Sequence, residues 1–184
     1  MSTLKAFRLF WLCFAAASAG VLAHGPHVHG TGELHVAIED DKLSIELHSP
    51  LENLLGFEHA PRTDSQRAAV KAMKAKLNRP ETLFKLPPAA SCRAGPTRVE
   101  SSLDDAPTAP SKSVKAAHEG DDDDDHADLT ATFTFVCAKI DRLDSIEVTV
   151  FGAFPGTKAI KAEIVGPGGQ SAATLSANRR AIRL

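Results

Sequence analysis

The residues of this chain best suited to chemistry are its eight histidines. His24, His27 and His29 share one short tract, and His35 and His48 sit in a region of alternating apolar and polar residues. His59 follows Phe57-Glu58, and His118 and His126 bracket an acidic run. Neutral imidazole is the commonest metal-binding side chain, and clusters of histidine are a compositional sign of metal binding. His27 and His29 are two apart, so in an extended segment both rings point the same way, and their parity continues to His35. The tract from His24 to His29 can therefore bring two or three nitrogens to one ion.

A second set of candidates follows from a hairpin. Leu34, Val36 and Ile38 alternate before Asp40-Asp41, and Leu43, Ile45 and Leu47 alternate after it. This predicts a β-hairpin over Glu33 to Ser49 with all six apolar side chains on the buried face, a register that burial itself fixes. On the other face Glu33 then lies opposite His48, and His35 opposite Glu46. Opposed residues have Cβ atoms roughly 4.5–5.5 Å apart, close enough to share a cation. Imidazole and carboxylate both bind zinc at about 2.0–2.2 Å, and four such groups complete a tetrahedral site. The candidate ligands are thus His24, His27, His29, Glu33, His35, Glu46, His48 and His59. His118 and His126 add a looser cluster around five consecutive aspartates, Asp121 to Asp125. That run lacks the glycine and glutamate positions of an EF-hand loop and reads as a low-affinity attractor of divalent ions.

The elements that must position these residues are legible in outline. Ser49-Pro50-Leu51-Glu52 reads as a capping box with proline at the first helical position, and Gly56 as its stop. A longer helix is expected from about Asp64 to Leu77, capped by Thr63 and Gln66, with Val70, Met73 and Leu77 on one face and Pro80 beyond. Thr82 to Leu86 is expected as a strand. From Arg93 to Ala127 the composition shifts to Ala, Pro, Ser, Lys and Asp without apolar periodicity, so residues 93–127 are expected as a long mobile acidic loop. Strands are predicted at Leu129–Cys137, Ile146–Phe151, Lys158–Val165 and Gln170–Leu175, with a turn at Gly166-Pro167-Gly168-Gly169. The expected fold is α+β: a single, mostly antiparallel β domain over 24–184 with two helices in its N-terminal half.

The first residues read as a secretory leader. Lys5 and Arg8 precede an apolar run from Leu9 to Ala17, and cuts after Ala19 or Ala23 fit the small-residue rule, which makes 1–23 a signal peptide. The run is too short for a membrane span. Losing Lys5 and Arg8 and no acid moves the formal charge from −2 to −4, which argues against nucleic acid as a partner. Cys92 and Cys137 remain, and in an oxidising compartment a disulfide is the simplest reading. A thiolate zinc site, the alternative, lacks the close Cys-x-x-Cys spacing.

The tract from His24 to Leu34, the hairpin, the segment Ser49-Pro50-Leu51-Glu52-Asn53-Leu54-Leu55-Gly56-Phe57-Glu58-His59 and the acidic histidine-bearing loop together resemble the ZrgA-like family of zinc-regulated periplasmic proteins. The resemblance covers essentially the whole chain after the leader. It implies a zinc-binding accessory of periplasmic zinc acquisition, with Zn2+ as its ion and components of an ABC-type zinc importer as partners. This chain departs from the family's histidine-rich central loop, holding there only His118 and His126 among aspartates. The departure shifts weight to the N-terminal and hairpin histidines.

An alternative is copper. A cut after Ala23 would leave His24 as an N-terminal residue, whose amine and imidazole can form a copper brace. Copper also binds N/O sites more tightly than zinc. Against a copper-brace enzyme acting on carbohydrate stand the absence of Tyr and the confinement of the one Trp, Trp11, to the leader. No Gly-x-Ser-x-Gly, His-Glu-x-x-His or phosphate-binding loop occurs, so the expectation is a metal-binding protein and not an enzyme.

Overall fold

Apolar residues at every second position on either side of Asp40-Asp41 build the centre of the molecule. The computed structural model describes residues 28–103 and 127–184. Strands β1 (Thr31–Glu39) and β2 (Lys42–Pro50) pair antiparallel, with Leu34 opposite Leu47, Val36 opposite Ile45 and Ile38 opposite Leu43. Asp40 takes the positive φ of 53° at the reversal, a conformation that aspartate tolerates better than most residues. The observed register is the one that burial predicts.

Four further strands extend this hairpin. On one side β5 (Asp128–Cys137) pairs with β2, and β4 (Cys92–Ser101) pairs with β5, both antiparallel. On the other, β7 (Ala159–Gly166) runs parallel to β1, and β8 (Gly169–Ser176) returns antiparallel through the predicted glycine-rich turn. The resulting order is β4-β5-β2-β1-β7-β8. A smaller sheet, β3-β6-β9, is made of β3 (Phe84–Lys85), β6 (Ser145–Val148) and β9 (Ala181–Arg183). It meets the apolar face of the large sheet, where the Phe84 ring packs 5.0 Å from that of Phe133. Leu34, Ile45, Phe133, Ile160, Ile146 and Val148 belong to one fully buried cluster. Every inter-strand pairing except β1–β7 is antiparallel.

Helix α2 (Asp64–Leu77) has the expected limits and the expected capping box: the Gln66 N–H donates to the Thr63 hydroxyl at 3.2 Å, and the Thr63 N–H to the Gln66 side chain at 3.2 Å. Met73 and Leu77 are buried and Val70 partly so. Helix α1 (Leu51–Leu55) does end at Gly56, whose φ is 79°, but its start differs from the expected capping box. Strand β2 runs on through Pro50, which therefore caps the helix instead of opening it, and the Leu51 N–H is satisfied by the Ala127 carbonyl at 2.8 Å. The Ser49 hydroxyl turns inward to Asn53.

Other expectations are corrected. Thr82 to Leu86 is a one-turn helix, α3 (Pro80–Leu83), followed by the two-residue β3. Pro80 at the first helical position favours that turn, and the Thr82 hydroxyl bonds back to the Arg79 carbonyl. Ile146 to Phe151 divides into β6 and the short helix α4 (Val150–Ala153). Residues 93–101, expected within the long loop, belong to strand β4. An edge strand needs no apolar alternation when its neighbour's backbone and one disulfide hold it, and Pro96 is accommodated where the β4–β5 register shifts between Ala94 and Thr97. The rest of the expected mobile acidic loop, from residue 104 to 126, lies outside the described residues, as does the expected leader. Among the described residues no helix is long and apolar enough to cross a membrane.

Candidate metal centre

Strand side chains alternate between the two faces, and two neighbouring rows on the outward face of the large sheet hold the candidate ligands. In the first row Glu163 of β7, His35 of β1, Glu46 of β2 and Thr132 of β5 are successive cross-strand neighbours. In the second, Lys161, Glu33, His48 and Thr130 are. The opposition of Glu33 to His48 and of His35 to Glu46 is as the hairpin predicts.

Within the hairpin, the side-chain contacts do not follow these two oppositions. His48 Nε2 lies 2.6 Å from Oε1 of Glu46, two residues away on its own strand. Its Nδ1 lies 3.2 Å from the Thr130 hydroxyl, and the Thr132 hydroxyl donates to the other oxygen of Glu46 at 3.4 Å. An ionised carboxylate only accepts, so in the neutral ring Nε2 carries the proton and Nδ1 accepts from Thr130. His35 turns the other way, its Nδ1 3.5 Å from Oε2 of Glu163. The two imidazoles meet edge to face, 5.3 Å between centroids at 80°. Two imidazoles on one tetrahedral zinc, with nitrogens about 2.0–2.1 Å from the metal, have centroids about 5.2 Å apart. Edge-to-face ring pairs commonly have this spacing, and here the ring nitrogens face different carboxylates. Among the described residues no group of three or more His, Cys, Asp or Glu side chains is placed so that it could hold a metal ion; each of these rings is engaged by a carboxylate. Their side chains are about one third to one half exposed (His48 32%, Glu46 41%, His35 45%), which leaves the patch open to solvent.

The N-terminal candidates gather elsewhere. His29 Nε2 lies 3.6 Å from the largely buried Glu58 carboxylate. His59 Nδ1 lies 2.9 Å from the Ala60 carbonyl, and its ring stacks on Phe57 at 5.3 Å. A carbonyl only accepts, so Nδ1 holds the proton and Nε2 carries the lone pair. His24, His27, His118 and His126 lie outside the described residues.

What holds the N-terminal tract here is Asn53, a residue sequence reasoning passed over. Its side chain, 3% exposed, accepts from the Gly30 N–H at 2.6 Å and donates to the Thr31 carbonyl at 3.0 Å and the Ser49 hydroxyl at 3.2 Å. Gly30, at φ 83°, in turn accepts through its carbonyl from the N–H groups of Lys158 and Ala159. No local sequence signal marks it, because its partners Gly30 and Thr31 lie 23 and 22 residues away. Asn53→Ala should cost about 1–3 kcal/mol, because the Gly30 N–H and Thr31 carbonyl lose a buried partner. Urea denaturation measures it, and an unchanged midpoint would show that the clamp is dispensable.

The model of the ZrgA family, described as zinc uptake protein, matches residues 26–184 of the chain. The chain belongs to this family. No curated protein matches it. Membership ties this ZrgA-family chain to zinc uptake. The zinc description accords with the histidine–carboxylate composition of the sheet face. The Cys92–Cys137 disulfide is also present, joining directly opposed residues of β4 and β5, so neither sulfur is left as a thiolate ligand.

Proposed function

We propose that this protein is exported to the periplasm, where it captures or buffers zinc as a non-enzymatic accessory to ABC-type import, and that Zn2+ is its cargo. The observation that carries the reading is membership of a zinc-uptake family over residues 26–184; His35 and His48, on neighbouring strands and each beside a carboxylate, are the described histidines proposed to meet the ion. His29 lies beside Glu58 where the N-terminal tract meets the loop after α1, and is a further candidate contact for the ion. A disulfide accords with an oxidising compartment. The half-exposed setting of the sheet-face ligands accords with an ion that is passed on, whereas structural zinc sites are closed.

Calorimetric titration of metal-free, untagged protein tests the reading. Zinc heat is expected at neutral pH, and binding should weaken as pH falls through roughly 6.5, because protons compete with zinc for imidazole nitrogen. No zinc heat at neutral pH would refute the proposal. Heat that is unchanged down to about pH 5 would show that histidines are not the principal ligands.

A further inference from the structure

The large sheet ends in two unlike edges. At one, β4 carries Arg93, Pro96, Arg98 and Glu100 and a register shift, the charges, proline and irregularity that keep an edge strand from pairing further. At the other, β8 has β7 as its one strand neighbour among the described residues. Its sequence, from Gly169 to Ser176, holds no charge and no proline. Ser176 exchanges backbone hydrogen bonds, at 3.0 Å each, with Arg179 and not with Ala159, its opposite residue on β7. Antiparallel ladders alternate, so Thr174, Ala172 and Gln170 turn their N–H and C=O groups the same way, off the edge. All three residues are exposed, and their backbone groups are a template for one more strand.

A cavity of about 600 Å3 adjoins the start of the same strand, a volume in the range of about 300–1,000 Å3 that ligand pockets occupy. Ile38, Ile140, Leu143 and Ile164 line it, with Gln170 and Ser171 of β8. Asp141 and Arg183 are its charged side chains, one of each sign, so the lining favours an uncharged apolar group. Ser171 lies opposite Ile164, whose side chain belongs to the buried face of the sheet. A residue added opposite Ser171 continues that row and points its side chain to the face on which the cavity lies. We propose that the free edge of β8 and this cavity form one binding site for an extended segment of a partner protein, which adds as a further strand and places a leucine-sized apolar side chain in the cavity. In such strand addition the main-chain bonds supply affinity and the pocket supplies specificity. A second copy of β8 is a poorer occupant. Its residues on that face are Ser171 and Ala173, too small to fill the cavity, and Leu175, which is 1% exposed and committed to its own core. The cavity is on the opposite face from His35 and His48, so the site does not depend on the zinc reading.

The probe is an acetylated, amidated heptapeptide, Lys-Thr-Thr-Leu-Thr-Thr-Lys, beside a counterpart with aspartate in place of leucine. Amide chemical shifts of the nitrogen-15-labelled protein follow each titration. The leucine peptide should shift the amides of Gln170, Ala172 and Thr174 together with those of Ile140 and Leu143, and the aspartate peptide should bind at least about tenfold more weakly. Ala172→Pro removes an outward N–H at a position where an edge strand tolerates proline, and Ser171→Glu sets a carboxylate at the cavity while keeping the backbone edge. Each should weaken the leucine peptide at least about fivefold, with urea midpoints confirming that the variants fold. Should the proline variant not fold, Ser171→Glu and the aspartate peptide still decide the matter. No shifts with millimolar leucine peptide, shifts that map elsewhere, or equal binding of the two peptides would overturn the proposal. So would shifts of the β8 amides that appear on raising protein concentration alone and leave no response to peptide, since the edge would then pair with a second copy.

Discussion

Replacing His35 or His48 singly by alanine is expected to weaken the tightest zinc-binding event at least tenfold, about 1.4 kcal/mol or more. The size of the effect follows from where the rings are held. His35 is on β1, which is paired on both flanks, to β2 and β7; His48 is on β2, paired to β1 and β5. Each backbone is fixed by two ladders before any ion arrives, so binding orders only side chains, and pre-organisation of that kind favours affinity. Removing either ring leaves one imidazole for an ion that the geometry offers two. Both rings lie outside the core, so folding should change by no more than about 0.5 kcal/mol. Truncating residues 24–29 should instead reduce how many ions bind and spare the tight event. Titration of the three variants decides it: if truncation abolishes the tight event while both alanine variants keep it, the sheet face is only a solvated surface.

That experiment also separates what was legible in the sequence from what was not. The hairpin register could be read because Leu34 to Leu47 is local, alternating and joined by a two-aspartate turn, so burial fixes every opposition on both faces. Helix α2 could be read because Thr63 and Gln66 carry their capping chemistry in their spacing. Glu163 could not be placed, because β7 reaches β1 by a parallel pairing across most of the chain and no local pattern specifies which distant strand will arrive. The same holds for Thr130 and Thr132, whose hydroxyls fix His48 and Glu46 from β5. Strand β4 was hidden for another reason. Its side chains are mostly exposed or half-exposed, so it lacks the apolar alternation by which strands are recognised. The function of the Ser49–His59 segment was likewise only half visible: the helix is there, but its role in gripping Gly30 and Thr31 through Asn53 depends on a contact between residues far apart in sequence.

The edge position of β4 leads to the second large effect. Replacing Cys92 and Cys137 together by alanine is expected to lower stability by about 2–5 kcal/mol. The two cysteines are 45 residues apart, and closing a loop of that length removes chain entropy from the unfolded state worth about 4 kcal/mol in the chain-entropy model. On the folded side, β4 has one strand neighbour and includes Pro96, which cannot donate to the ladder, beside a register shift. Few of its side chains are buried, so burial contributes little to hold it and the cross-link at its first residue matters more. Cys137 is itself 1% exposed within the core, so its truncation adds a small packing loss. Zinc binding through His35 and His48 should survive, because β1 and β2 hold them without direct pairing to β4. Urea denaturation of the oxidised protein and the double variant measures the loss, and titration of the folded double variant checks that the tight zinc event persists. Equal denaturation midpoints, or two free thiols in the denatured and unreduced protein, would show that the cross-link does not hold this edge.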